Sequence, residues 1–390
     1  TGDFNVVDTL KLTQTSVAVG KSAGNLNQGA NSIAIGKDAG VTNQGSIGGN
    51  AIAIGQFAGQ TDQPSGCIAI GFNSGNIGQG ASNVAVGLRS GQTNQGESSV
   101  AVGVLAGQTT QGLGCVALGY GAANNAQGNS SVAIGYNSGQ TTQSTNSVSV
   151  GYQAGQITQG NGSVAIGRDA GQQNQGQLAV AVGYDSGQIS QGANCIAIGY
   201  LAGENTQTAN AVAIGTLAAQ ITQGGNAVAI GYNAANATQG DNSVAVGRDS
   251  GAAAQGANSI AVGRSAGNSA QGTESIAIGY LAGSTTQGSQ SVAIGVSAGN
   301  NTQGTDSVAI GRLSGTTTQG TQSVAVGRQA GSTSQGNFSV AVGYLSGASS
   351  QGNNSVAVGN GAGQTTQGGS SVAVGLEAGA TNQSSTCVAV

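Results

Sequence analysis

The chain has 390 residues, of which 73 are Gly, 6% are charged and 3% aromatic, with no His, Met or Trp and a net charge of −4. Ordinary globular domains carry roughly 25% charged residues, so a conventional globular fold is excluded, and recurrent Val and Ile with so small a net charge argue against disorder. Nine basic residues leave no electrostatic footprint for nucleic acid, and without a run of about 18 apolar residues no membrane insertion by this segment is expected.

Residues 1–14 do not share the periodicity of the rest of the chain. They carry Phe4, Val6, Val7, Leu10 and Leu12, enough apolar surface to cover a neighbouring coil, and are expected to form an N-terminal cap or lead-in. From residue 15 onward a pentapeptide of the type Ser-Val-Ala-Ile-Gly recurs, with its glycine at Gly20, Gly36, Gly55, Gly71, Gly87 and so on to Gly375. The spacing is sixteen residues, except for nineteen between Gly36 and Gly55, with the three extra residues in the 45–50 stretch. There are 23 complete pentapeptides, and Cys387-Val388-Ala389-Val390 begins another. A fixed short period is the mark of stacked repeats. Residues 15–390 are therefore expected to form one continuous β-solenoid of about 24 coils.

Within each unit, numbered from the Ser of the pentapeptide, positions two and four are Val, Ile or once Leu, and position three is Ala everywhere but Ser149. This alternation predicts a strand with positions two and four on one face and one, three and five on the other. The β-branched pair is expected to face the core. Ala-Gly or Ser-Gly at positions eight and nine predicts a corner, because Gly enters left-handed backbone at low cost. A second short strand is expected over positions ten to thirteen. Position eleven, which admits Leu26, Ile77, Ile157, Ile189 and Ile221, is expected to point inward with position thirteen. A second corner comes at position fourteen, Gly in 19 of 23 units. The fold class is thus all-β, a parallel β-solenoid (β-roll) of sixteen-residue coils with two short strands each. At a rise of about 4.8 Å per coil it would form a rod roughly 110 Å long.

Position thirteen is Gln in all 23 units. An invariant amide in a thin core predicts a structural ladder in which each side chain bonds the coil above and below, here through Gln111, Gln127, Gln143, Gln159, Gln175, Gln191, Gln207, Gln223 and Gln239. Position six holds all eight tyrosines and seven of the nine basic residues. It predicts an exposed edge or contact stripe that includes Tyr120, Tyr136, Tyr152, Arg168, Tyr184, Tyr200, Tyr232, Arg248, Arg264 and Tyr280. The small residues at positions one, three and five, with Ala213, Ala229, Ala245, Ala261 and Ala277 at their centre, would form a flat, nearly uncharged face suited to self-association.

The four cysteines occupy position one, three or more coils apart. At the stacking distance no pair comes within the roughly 7 Å that a disulfide needs. Without His, and with acidic residues scattered over many columns, no catalytic site, metal site or cofactor is expected.

The pentapeptide, often preceded by Asn as in Asn242-Ser243-Val244-Ala245-Val246-Gly247, resembles the head repeat of YadA-like trimeric autotransporter adhesins. The resemblance runs from Ser16 to Val390, and similar repeats are at home in phage and giant-virus fibre proteins. It implies a left-handed parallel β-roll, three chains side by side, and a head that binds host matrix proteins at a cell or virion surface. The expected function is a non-catalytic extracellular fibre or adhesive head, self-associating as a trimer or filament. The alternatives are a viral or phage fibre shaft with a receptor-binding role, or an ice-binding solenoid, suggested by ten Thr among the 23 residues at position twelve.

Overall fold

In the computed structural model, which describes residues 10–12, 15–46 and 48–390, the chain is all-β and forms a parallel β-solenoid of about 23 turns, spaced by about sixteen residues. Two compact units, Thr1–Asn194 and Cys195–Val390, build it in the same way. In the first, strands such as Ile68–Ile70, Val84–Val86 and Val100–Val102 pair in parallel with Ile68 beside Val84 and Val84 beside Val100. In the second, Val228–Ile230, Val244–Val246 and Ile260–Val262 repeat that register. The glutamine-bearing strands form a second sheet, seven-stranded from Ile77–Gln79 to Gln173–Gln175 in the first unit and eleven-stranded from Thr206–Gln207 to Thr366–Gln367 in the second.

The strand faces are the reverse of the expectation. Position three is buried, and Ala213, Ala229, Ala245, Ala261 and Ala277 are each 0% exposed. Position one is buried too, as at Ser243, Ser259 and Ser275, whereas the β-branched residues are half-buried or exposed, with Ile230 and Ile278 at 38%. The two sheets of a coil approach so closely that, apart from the glutamine of position thirteen, only small side chains fit between them. A Cβ added at Gly267 would lie 3.3 Å from the Cβ of Ala261 across the coil. Positions one, three, eight and nine thus fill the interior with Ser, Ala and Gly, and the larger Val and Ile stack outward in cross-coil ladders. The alanine column is core and cannot be an association face.

Position eleven is also corrected. Ile77 is 49% and Ile157 41% exposed, while Gln79 and Gln159, two residues on, are buried. In these coils position twelve takes a left-handed backbone (Gly78 φ 69°, Thr158 φ 55°), which cancels the alternation that would place positions eleven and thirteen on one side.

The corners are tight; glycine is invariant at position five, and at position nine only Ala123, Ala219 and Ala235 replace it, in the same left-handed backbone. Gly247 at position five has φ 127°, and a Cβ there would lie 2.8 Å from the carbonyl oxygen of Gly263 in the next coil. Gly24 at position nine has φ 52°, and a Cβ would meet Gln28 Oε1 at 2.5 Å. The nineteen-residue spacing leaves strand pairing intact, since Ile33 pairs with Ile52. Its extra residues loop out at the second corner, where Gly49 N–H donates to Gly45 O and Asn50 N–H to Ala30 O, both at 2.9 Å. At the N-terminal end Leu10–Leu12 runs antiparallel to Val17–Val19. The rest of the expected cap lies outside the described residues.

Candidate functional site

The glutamine column crosses the core of each coil. Gln111, Gln127, Gln143, Gln159, Gln175, Gln191, Gln207, Gln223 and Gln239 are all at most 3% exposed. Each Nε2 donates to the carbonyl of position two in its own coil, as from Gln223 to Val212 O at 2.8 Å and from Gln239 to Val228 O at 2.9 Å. Most reach a second carbonyl at position one of the next coil, as from Gln223 to Ala227 O at 3.2 Å. The amide-to-amide ladder is an additional and intermittent bond: Gln111 to Gln127 at 3.1 Å, Gln207 to Gln223 at 2.9 Å and Gln223 to Gln239 at 3.0 Å. Where it lapses, an Oε1 is left without a donor, as at Gln287, Gln303 and Gln319. The backbone contacts, unlike the ladder, recur coil after coil and tie the two sheets together. Hydroxyls do the same at position one, where Ser99 Oγ donates to Gly112 O at 2.7 Å and accepts from Cys115 N–H at 3.0 Å.

A second amide ladder, at position ten, is not evident in the sequence because Gln, Asn and Glu interchange there and Val, Ala, Ser or Thr interrupt them, as at Val41, Ala252 and Thr316. Gln108 Nε2 donates to Gln92 Oε1 at 2.9 Å, and Asn124 Nδ2 to Gln108 Oε1 at 3.0 Å. In the second unit Gln220 Nε2 donates to Glu204 Oε2 at 2.7 Å, and Asn236 Nδ2 to Gln220 Oε1 at 3.0 Å. The signal that could have exposed it is side-chain type rather than identity, since most residues in this column carry an amide or carboxylate.

Position six lies on the first corner, with its tyrosines 39–50% exposed. Tyr120, Tyr136 and Tyr152 stack with centroids 5.1 and 5.2 Å apart and planes within 9° of parallel. Arg168 continues the column between Tyr152 and Tyr184, its guanidinium carbon 5.7 and 5.1 Å from the two ring centroids. Its Nε contacts Asp169 Oδ2 at 3.1 Å, and this hydrogen bond raises the arginine further above its usual range. In the second unit Arg248 lies over Tyr232 and Arg264 over Tyr280. The stripe is an ordered ladder of rings and guanidinium planes.

The sequence model of the YadA head domain repeat matches residues 116–138, 223–250, 239–266, 270–298, 287–314, 303–330, 319–346 and 334–362. These segments are similar to YadA head repeats. Comparison with curated proteins returns no match. The matched segments contain the same small-residue interior and outward Val/Ile pairs found in coils beyond them.

Cysteine substitutes for the position-one serine in several coils. Cys67 Sγ donates to Gly80 O at 3.0 Å and Cys115 Sγ to Gly128 O at 2.9 Å, as Ser99 does to Gly112. Burial pushes both thiols up, so little reactive thiolate forms. Iodoacetamide on the native protein is expected to modify Cys387, which is exposed, and to reach Cys67, Cys115 and Cys195 only after denaturation. Prompt modification of all four, read by intact mass, would contradict the inward placement of position one. Among the described residues no three His, Cys, Asp or Glu groups stand together as a metal site, and no helix is long and apolar enough to cross a membrane.

Proposed function

We propose that this chain is a non-catalytic structural and adhesive segment of an extracellular, cell-surface or virion fibre, in which copies associate side by side as a trimer. The observation that carries this reading is the outward face of the first sheet. Each coil presents two aliphatic side chains there, β-branched in all but one, as at Val228 and Ile230 or Val244 and Val246, with no charged residue among them. A continuous apolar sheet face exceeds what soluble monomers ordinarily leave in water, and a second copy offers the same ladder at the same coil spacing. The match to YadA-like head repeats supports the adhesive role and the threefold arrangement. Host or matrix surfaces would then meet the tyrosine–arginine corner, which lies off the associating face. Sedimentation of the unmodified chain at micromolar concentration tests this. A mass of three chains is expected, and a stable single chain would refute the assembly.

One observation favours a second reading. In the second unit positions eleven and twelve are both exposed and rich in hydroxyls, as at Thr285 and Thr286, Thr317 and Thr318, and Thr365 and Thr366. Such a face could order water, and a freezing gap in a thermal-hysteresis assay would rank ice binding above adhesion.

A further inference from the structure

We propose that the first corner of the second unit binds a linear sulfated polysaccharide through two pairs of arginines. Arg248 and Arg264 occupy position six of successive coils, as do Arg312 and Arg328. The backbones join directly, with Ser265 N–H donating to Arg248 O at 2.8 Å and Gln329 N–H to Arg312 O at 2.9 Å. The members of each pair therefore rise from Cα atoms about 4.8 Å apart, and the pairs lie four coils, or about 19 Å, apart along one line. All four side chains are exposed. Three of them lean on tyrosines, Arg248 over Tyr232 at 5.6 Å, Arg264 over Tyr280 at 5.4 Å and Arg328 over Tyr344 at 5.4 Å. Each ring engages a guanidinium face; at Arg264 and Arg328 the N–H edge is left free to bind an oxyanion in a forked arrangement, while at Arg248 the Nε donates to Asp249.

These charges are poorly neutralised. Arg248 pairs with Asp249 at 3.1 Å, but Arg264, Arg312 and Arg328 have no carboxylate within 4.0 Å among the described residues. The remaining acids between residues 241 and 345, Asp241, Glu274 and Asp306, fall at positions fifteen and sixteen, on the other corner. One corner thus carries four arginines against a single aspartate. Adjacent guanidiniums repel until an anion lies between them. Beside Arg312 and Arg328 is a shallow depression of about 200 Å³ lined by Leu313, Thr316, Thr317, Gln329, Ser332 and Thr333, whose hydroxyls and amide suit sugar hydroxyls. The positive stripe is one residue wide and bordered by an uncharged Val/Ile face. It fits a single polymer carrying spaced sulfates and lying along the coils, and gives a nucleic-acid duplex little to hold.

The proposal deepens the adhesive reading and rests on its extracellular placement, though not on the number of chains. The test uses the full chain on immobilised heparin at physiological ionic strength, about 0.15 M. Retention is expected, with an Arg312→Gln/Arg328→Gln variant weakened on the order of tenfold per arginine. Arg168→Gln, which removes an arginine already paired with Asp169 in the first unit, should bind as the unmodified chain does. Circular dichroism would show that the exposed substitutions leave the coils folded. No retention, equal retention of the double variant, or competition by single-stranded DNA as effective as by free heparin would each overturn the proposal. Sedimentation of the same samples separates that failure from a failure to assemble.

Discussion

Replacing Gln223 by glutamate is expected to leave its coil intact in acid and to open it at neutral pH. The Gln223 Nε2 donates to Val212 O, Ala227 O and Gln239 Oε1, at 2.8, 3.2 and 3.0 Å, and its Oε1 accepts from Gln207 Nε2 at 2.9 Å. A carboxylate there would keep one donor and face three acceptors inside a core from which water is excluded. Protonated, it can still donate one bond; ionised, it cannot. Burial and facing carbonyls therefore raise its folded pKa above the unfolded value of about 4.3, by about 2–3 units. Below about pH 4.3 both states are protonated and the substitution carries little electrostatic penalty. As pH rises towards the folded pKa the penalty grows, reaching about 3–4 kcal/mol above it. Gln223→Leu removes the same hydrogen bonds without adding a titrating group, so its stability relative to the unmodified chain should be flat over that range. Thermal unfolding from pH 4 to pH 8 checks both, and a Gln223→Glu variant whose relative stability does not fall with pH would contradict the buried, carbonyl-facing geometry.

Placing lysine at Ile230, Val246 and Val262 together is expected to dissociate the assembly while leaving the solenoid folded. The three are stacked partners, Ile230 beside Val246 and Val246 beside Val262, and their side chains point away from the alanine interior. In a single chain three ammoniums there stay in water and alter stability little, apart from mutual repulsion that salt screens. Between two copies they would be desolvated without partners, at several kcal/mol each. Sedimentation should show the mass falling to that of one chain with the β-sheet dichroism preserved. Unchanged mass would move the association to another face.

The repeat period, the two strands, the corners and the inward glutamine can all be read from the columns of the sequence. The parity of the first strand is also legible; its sense is not. Assigning the β-branched pair to the core follows the general preference of Val and Ile for interiors, which presumes room for them. The better signal is constraint. Position three accepts nothing larger than Ala or Ser in any complete coil, whereas position four exchanges Val, Ile and Leu freely. A position limited by volume is the one pressed against another backbone. Ser149, the single departure, shows how tight that limit is: its hydroxyl accepts from Ser138 Oγ at 2.8 Å and from Gln143 Nε2 at 3.1 Å. The error at position eleven has a different origin, because a left-handed residue inside a strand resets the alternation, and Thr158 and Ser190 adopt that conformation as Gly78 does. The glutamine contacts to backbone carbonyls are invisible for a third reason. Their partners stand eleven residues earlier in the coil, and only the folded coil brings the two sheets together.

Which of two neighbouring residues points inward is the central claim, and one pair of substitutions decides it. Ala309 is 0% and Ile310 37% exposed, on adjacent residues of one strand. Amide hydrogen exchange should be measured over residues 300–330 for Ala309→Glu and Ile310→Glu. Ala309→Glu should lose protection in its own coil and the two flanking it, because a carboxylate and its volume enter a space built for a methyl group. Ile310→Glu should keep protection close to that of the unmodified chain. The reverse pattern, with Ile310→Glu exchanging freely and Ala309→Glu protected, would contradict the small-residue interior and the outward Val/Ile face that depends on it.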